Sequence, residues 1–518
     1  MISQPTTQGT LAERRPLLIA LLVTTGLTAV DTTIVSTAVP SIVRNLGGFS
    51  EFPWVFSVYL LTQAVTVPLY GRLADIFGRK PVLLFGIGVF LLGSGFSGLA
   101  WSMPMLIAFR GLQGIGAGAV QPIAMTIVGD VYSLEERGRV QGYLSGVWGI
   151  AAVVGPALGG TLSQYASWRW IFYLNLPIGA IATVMIGRNL HEKIVHERHR
   201  IDFSGAVALM GGMTLLIFGL LQGGVHWPWA SSKELAVFTA AAVLLIAVVA
   251  IERRAAEPFL PPWLFSRRTL VAGNLAGLCV GALIIGLDSY VPTFAQGVVG
   301  AGPVLAGFAL AVESVTWVAG SIVAGRLYPK RGFRSACVIG SAICIGGTAL
   351  FDTMPLSVSL GLVALGCAVF GLGFGFVATS SIVAVQSVVG WERRGVVTGA
   401  NMFGWSIGGA LGVAVFGSIA NSSLTNWLHS PPARIAPYLP HTANAASLIL
   451  GGSSAIKNLS ASTFVRSGLN GAMHDVFIAF SVTSVCLLVA VSLLPGPDSQ
   501  PVVQTIVVGQ SSTGNVIV

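Results

Sequence analysis

Apolar residues in this chain come in long unbroken runs, not in alternation. The runs lie near 17–38, 54–70, 81–100, 104–127, 140–162, 169–187, 203–222, 235–251, 270–294, 304–325, 335–351, 356–378, 397–420 and 474–494. Each is about 17–25 residues long, enough for a helix to span a hydrocarbon core of roughly 30 Å. Strands of a transmembrane barrel would instead alternate apolar and polar positions over short stretches. The pattern predicts an all-α polytopic membrane protein with 14 transmembrane helices. Between the last two runs, 421–473 is rich in Ser, Ala, Asn and Pro and reads as a long outside loop.

Composition agrees with the pattern. Hydrophobic residues make up 54% of the chain and charged residues 9%, where a soluble domain carries about 25% charged residues. The net charge of +9 raises the question of nucleic acid, and its distribution answers it. If the runs alternate across a bilayer, 21 of the 28 Lys and Arg residues fall on one side, so the charge is topological. The positive-inside rule puts both termini in the cytoplasm, and the plasma (cell inner) membrane is the expected location. Glu13, Arg14 and Arg15 lead straight into a full-length run, which predicts an uncleaved first anchor. Cys279, Cys337, Cys344, Cys367 and Cys486 all fall inside runs with no metal-site or disulfide spacing, and read as small packing residues. The sequence has no Walker A or HExxH motif, and its glycine strings GIGAG (114–118) and GLGFG (371–375) sit inside runs. Helix packing accounts for those strings, and neither a cofactor, a metal nor an enzymatic activity is expected.

The chain repeats itself. GRLADIFGRK (71–80) has an echo in GRLYPKRGFR (325–334), and EERGRVQG (135–142) in ERRGVVTG (392–399), at offsets of 254 and 257 residues. Six runs precede residue 190, six follow residue 269 and two lie between. This gives an N-terminal six-helix bundle (1–190), linkers with two extra helices (191–268), a C-terminal six-helix bundle including the outside loop (269–495), and a disordered cytoplasmic tail (496–518). Parallel repeats of this kind enclose a site between them near the midplane. The linker histidines His191, His196 and His199 fit no metal spacing and read as part of a solvated basic connector.

Away from the ends of the runs lie four charges: Asp31, Arg110, Asp288 and Glu313. A charge at a helix centre costs roughly 2.5–3.5 kcal/mol on insertion scales, so three acids demand a reason. An acid shielded from water holds its proton more tightly and releases it when exposed, which is what proton coupling requires. Charges also mark 71–80. Gly71 and Gly78 permit a tight turn, Asp75 can accept from a helix N-terminus, and Arg72, Arg79 and Lys80 can latch to carboxylates of the opposite bundle or to anionic lipid. The echo replaces Ala74-Asp75 with Tyr328-Pro329, making Asp75 the asymmetric element. Asp75→Asn is expected to impair transport in a vesicle assay while leaving membrane insertion intact.

Several stretches together resemble the major facilitator superfamily, in the order that family shows. GRLADIFGRK is similar to its signature between the second and third helices, and RGLQGIGAG (110–118) to its fourth-helix motif. AAVVGPALGG (151–160) resembles the fifth-helix motif of its antiporters, with Ala151 where Gly often begins the pattern. LTAVDTTIVSTAVPSI (27–42) and WRWIFYLNLPIG (168–179) resemble its fourteen-span drug:proton antiporter group. The resemblance implies the major facilitator fold, two six-helix bundles plus two extra helices. It puts Asp31 first among the proton-coupling candidates, with Arg110 as the tuning cation; by depth in their own runs, Glu313 near the middle is second and Asp288 toward the outer end third. It also implies a bend at Gly155, Pro156, Gly159 and Gly160 that governs bundle closure. Tyr59, Gln63, Trp148, Trp317, Asn401 and Trp405 are candidate cavity residues, and 397–420 lacks the acid that some relatives carry in span 13.

The function expected is proton-coupled export of amphipathic small molecules, multidrug efflux by alternating access, with substrate, protons and the bilayer as partners. A monomer suffices, and no nucleic acid is involved. An exporter or flippase of a lipid or endogenous metabolite is the alternative on the same fold. A non-transporting membrane enzyme or receptor would call for a large domain outside the membrane.

Overall fold

In the computed structural model, the residues described are 14–132, 134–190, 192, 203–223, 227–254, 261–389, 394–438 and 458–496. They form α1 (Arg15–Leu46), α2 (Pro53–Phe77), α3 (Arg79–Leu99), α4 (Met103–Val131), α5 (Leu134–Tyr165), the single turn α6 (Trp170–Tyr173) and α7 (Asn175–Asn189). Next come α8 (Phe203–Gln222), α9 (Ser232–Glu252), α10 (Arg268–Phe294), α11 (Pro303–Asp352), α12 (Leu360–Ser387), α13 (Arg394–Leu428) and α14 (Leu459–Ser492). No strand occurs among the described residues beyond an isolated bridge between Gly223 and Trp227.

Thirteen helical segments are long and apolar enough to cross a membrane, α6 and α7 together making one of them. The 50-residue α11 is two helices merged at Gly332, whose φ of 81° and ψ of 160° are not helical. Twelve single spans plus this pair make the expected fourteen. Gly332 lies 254 residues after Gly78, which joins α2 to α3 at φ 93° and ψ 157°. The two copies of the repeat thus turn the chain with one backbone conformation, open to glycine and strained for other residues.

The end of the bundle where α1 begins is called the inner end, the other the outer end. At the outer end the halves are fused. One buried cluster runs from Ile34, Val39 and Val43 of α1 through Phe49 and Phe52 into Leu283, Tyr290 and Phe294 of α10. Ser57 Oγ donates to the Ala410 carbonyl at 2.9 Å, Asn421 Nδ2 to Ser50 at 2.9 Å and Gln296 Nε2 to Thr37 at 3.2 Å. At the inner end, Gly71, Gly146, Gly325 and Gly399 face open space. They lie on α2, α5, α11 and α13, the helices that meet across the seam. The described helices are thus joined across the seam at the outer end, and their seam-facing glycines are open at the inner end.

The two extra helices pack on each other, and α8 lies against both α2 and α13, with Leu221 reaching Gly417. The pair therefore covers one line where the halves meet.

The described helices also outrun the apolar runs. α13 continues to Leu428 and α14 begins at Leu459, so the expected loop 421–473 is helical over 421–428 and 459–473. Hydropathy marks where a helix leaves the hydrocarbon, whereas backbone hydrogen bonding continues into water. Residues 439–457 of that loop, the linker histidines and the tail 497–518 lie outside the described residues.

Candidate functional site

Asp31 is fully buried in α1 and its carboxylate is held by three donors. Arg110 Nη1 donates to Oδ2 at 2.8 Å, while Gln113 Nε2 and Asn175 Nδ2 each donate to Oδ1 at 2.8 Å. The same Arg110 nitrogen donates to Gln113 Oε1 at 2.7 Å. Asn175 also reaches Ser94 Oγ at 2.9 Å, and Ser94 donates to the Phe172 carbonyl at 2.9 Å. The Arg110 guanidinium sits 4.0 Å over the Tyr59 ring, a cation–π contact. One network thus joins α1, α2, α3, α4 and α7, with Asp31 at 0% and Arg110 at 1% exposure.

Local sequence explains the placement. Arg110 and Gln113 are three residues apart on α4 and so share a face. Beyond them Gly114, Gly116 and Gly118 leave no room for a Cβ against Thr62, Phe90 and Thr66, so α4 packs close to α2 and α3. Asn175 opens α7 after the turn α6, which aims its amide inward. A charged donor and two amide donors meet both oxygens of this buried carboxylate. Gaining a proton would cancel its charge and leave Arg110 without its counter-ion.

α1 also carries the contacts of the antiporter-like motif. Gly155 and Gly159 of α5 lie against α1 at Thr33 and Ile34, while Gly160 and Pro156 lie against α11 at Pro303 and Gly307. Two faces, each spaced four residues apart, wedge α5 between its own half and the other. Thr37 Oγ1 donates to the Pro156 carbonyl at 3.2 Å and Ser314 Oγ to Ala152 at 2.8 Å. α1 therefore touches both the buried acid network and the outer seam.

Arg79 and Lys80 of 71–80 have partners in the linker and at the end of α7. Glu192 accepts from the backbone N–H of Arg79 at 2.9 Å and of Lys80 at 3.1 Å, while Lys80 Nζ donates to the Gly187 carbonyl at 2.7 Å. A carboxylate from the linker thus caps α3, where a helix N-terminus favours an anion. The expected contact with the opposite bundle is not among these. The side chains of Arg72 and Asp75 lie outside the described residues. Glu192→Ala is expected to lower stability by about 1–2 kcal/mol, the worth of a helix cap, read as a shift in thermal unfolding midpoint.

In the C-terminal half, Glu313 (α11) is buried and lies within electrostatic reach of the less buried Asp288 (α10). Neither makes an ion pair among the described residues. The structure does not join them to the Asp31 network. Trp317 and Trp405 contact each other at 5.9 Å between ring centroids, and Asn401 donates to the Gly273 carbonyl at 2.9 Å, a helix-packing bond. Tyr59 belongs to the Asp31 network, Gln63 and Trp148 are half-buried, and the Trp148 indole N–H has no partner among the described residues. Sequence reasoning had passed over Gln113, Asn175 and Ser94. The first two stood inside the quoted motifs, and an intramembrane amide was itself a signal.

A family model, the Major Facilitator Superfamily, matches residues 21–413. The chain belongs to that superfamily. Among its curated relatives is the "Multidrug transporter protein MdtP" of Bacillus subtilis, 35% identical over 432 residues, 83% of this chain and 79% of the relative. "Multidrug resistance protein 3" of the same organism is 36% identical over 428 residues, 82% of this chain and 83% of the relative. The "Efflux pump FUS6" of Gibberella fujikuroi is 32% identical over 417 residues, 79% of this chain and 75% of the relative. Of solved structures, a bacterial homolog to the human lysosomal transporter Spinster, inward-facing and unoccupied, aligns with TM-score 0.67 and 16% identity. It covers 94% of this chain and 98% of that one, and at that identity it shows the major facilitator fold. This major facilitator protein is a multi-pass membrane transporter.

Proposed function

We propose that the chain is a proton-coupled exporter of amphipathic small molecules, working as a monomer in the plasma membrane with both termini in the cytoplasm. The observation that carries this reading is the buried Asp31 carboxylate clamped by Arg110, Gln113 and Asn175, on a helix that also touches the outer seam, where Thr37 accepts from Gln296 of the other half. The names of the multidrug and efflux relatives support the substrate class.

The residues act in sequence. With the outer seam closed and the inner end open, Asp31 is charged and paired, and substrate enters from the cytoplasm. After the halves rock, a proton from outside neutralises Asp31, frees Arg110 and loosens α1 from α4 and α7, and substrate leaves. Return to the inward-open state releases the proton inside and restores the pair. Glu313 and Asp288 are the further coupling acids, and Trp317 with Trp405 forms the cavity's aromatic wall. One charge moved through 100 mV supplies about 2.3 kcal/mol, enough for a gradient of roughly fifty-fold.

The test is proton movement in everted vesicles energised to an acid interior. Adding an exported compound is expected to release protons, read by a pH-sensitive dye. Substrate flux with no proton movement would refute the coupling, and gradient-independent movement of lipid would favour the flippase alternative.

A further inference from the structure

Outside the central network, one groove between α13 and α14 has the makings of a second site. It lies near their outer ends, has a volume of about 840 Å³, and is lined by residues including Ser422, Asn426, Trp427, Phe464 and Asp475. Its floor is aromatic. Trp427 and Phe464 stack at 5.3 Å and 26°, and the Trp427 indole N–H donates to the Phe464 carbonyl at 3.1 Å. Gly468 makes room for that indole, since a Cβ there would meet it. The Ser422 hydroxyl oxygen is buried there without a partner among the described residues.

Depth and charge define the occupant. Asp475 is exposed and continues the stripe of exposed Ile478, Val482, Val485 and Val489 along α14, the face turned to lipid. From Asp475 to the inner end of α14 is about 26 Å at 1.5 Å per residue, close to the hydrocarbon thickness of roughly 30 Å. The carboxylate therefore stands at the outer headgroup level, with apolar side chains running inward below it. It makes no ion pair among the described residues, and among the described residues it is the sole charge in the lining. Arg466, on the same helix, is turned to the Val298 and Leu356 carbonyls.

We propose that this groove binds an amphipathic monocation from the outer leaflet. Asp475 meets the ammonium head, the ring faces of Trp427 and Phe464 add cation–π and apolar contact, and the tail lies along the α14 stripe. A phospholipid fits less well. Its phosphate would sit beside a carboxylate, and the described lining residues include no cation to receive it. The site is separate from the Asp31 network and does not depend on which solute is exported.

The full-length protein in phosphatidylcholine nanodiscs is titrated with dodecyltrimethylammonium by calorimetry, the wild type against Asp475→Asn. The wild type is expected to show a binding component that weakens roughly tenfold or more in the variant, while the neutral amphipath dodecyl maltoside binds both alike. Phe464→Ala is expected to weaken the same component and to leave transport intact, which separates the groove from the transport path. Equal binding of the cation by wild type and Asp475→Asn would overturn the proposal. Loss of the component when phosphatidylethanolamine replaces phosphatidylcholine would overturn it too, by showing a lipid as occupant.

Discussion

Asp31→Asn is expected to cut proton-driven export by about tenfold or more, a step of ~1.4 kcal/mol or greater, while the protein still inserts. The substitution keeps the size of the side chain and removes both the titrating group and the counter-ion of Arg110. In the native network Oδ1 accepts from two amides and Oδ2 from the guanidinium. An asparagine brings one acceptor and one donor, so at least one of these partners faces an N–H and is left unpaired. Breaking one side of a buried ion pair costs about 3–5 kcal/mol because it strands the other charge. The single variants Asp31→Asn and Arg110→Gln are thus both expected to lose thermal stability. The double variant, in which no charge is buried, is expected to be more stable than either. Such non-additivity, about 0.5–3 kcal/mol for contacting residues, is measurable in a thermal double-mutant cycle. Normal proton release in Asp31→Asn vesicles would remove Asp31 from the coupling step, and additive stability losses would remove Arg110 as its partner.

The sequence made the spans legible because in a membrane every backbone polar group must bond within its own helix, so apolar run length and helix number go together. It made Asp31 and Arg110 legible for a related reason, since an intramembrane charge is too costly to be incidental. Their meeting at 2.8 Å lay beyond any spacing rule, because the two residues stand on different helices. Gln113, Asn175 and Ser94 carry no charge and so raised no alarm, although they supply or support two of the three bonds to the carboxylate. The partner of Arg79 and Lys80 was hidden for a different reason. Glu192 sits in a polar linker, where a single acid is ordinary, and only the chain's return to the start of α3 gives it a task. Whether the seam is open or shut at either end was not written in any run of residues, because one sequence must serve both states.

Gly307→Leu is expected to hold the outer seam apart and bring export down by roughly tenfold. A Cβ at Gly307 would run into the Pro156 carbonyl, and one at Gly160 would lie 2.5 Å from the Pro303 carbonyl. Both obstacles are backbone, which cannot swing aside as a side chain can. Overpacking of this kind costs about 1–3 kcal/mol, and here the cost falls on one conformation alone. In the state with the outer end open, α5 and α11 separate and the added side chain meets no backbone. The variant therefore shifts a population instead of unfolding the protein, by about tenfold for each 1.4 kcal/mol. Spin labels at exposed Tyr165 of α5 and Leu305 of α11 report the outer distance, with Cys279 and Cys486 replaced by serine. That distance is expected to lengthen in Gly307→Leu and to change less in Gly307→Ala. Gly325, at the inner end of α11, faces open space in the present state, so Gly325→Leu is expected to leave the outer distance short. If export and the outer distance both stay as in the wild type, the close approach of α5 and α11 is not the outer gate. If Gly307→Leu lengthens the distance and stops export while Asp31→Asn leaves the distance unchanged, gate and proton site are separable parts of one cycle, joined through α1.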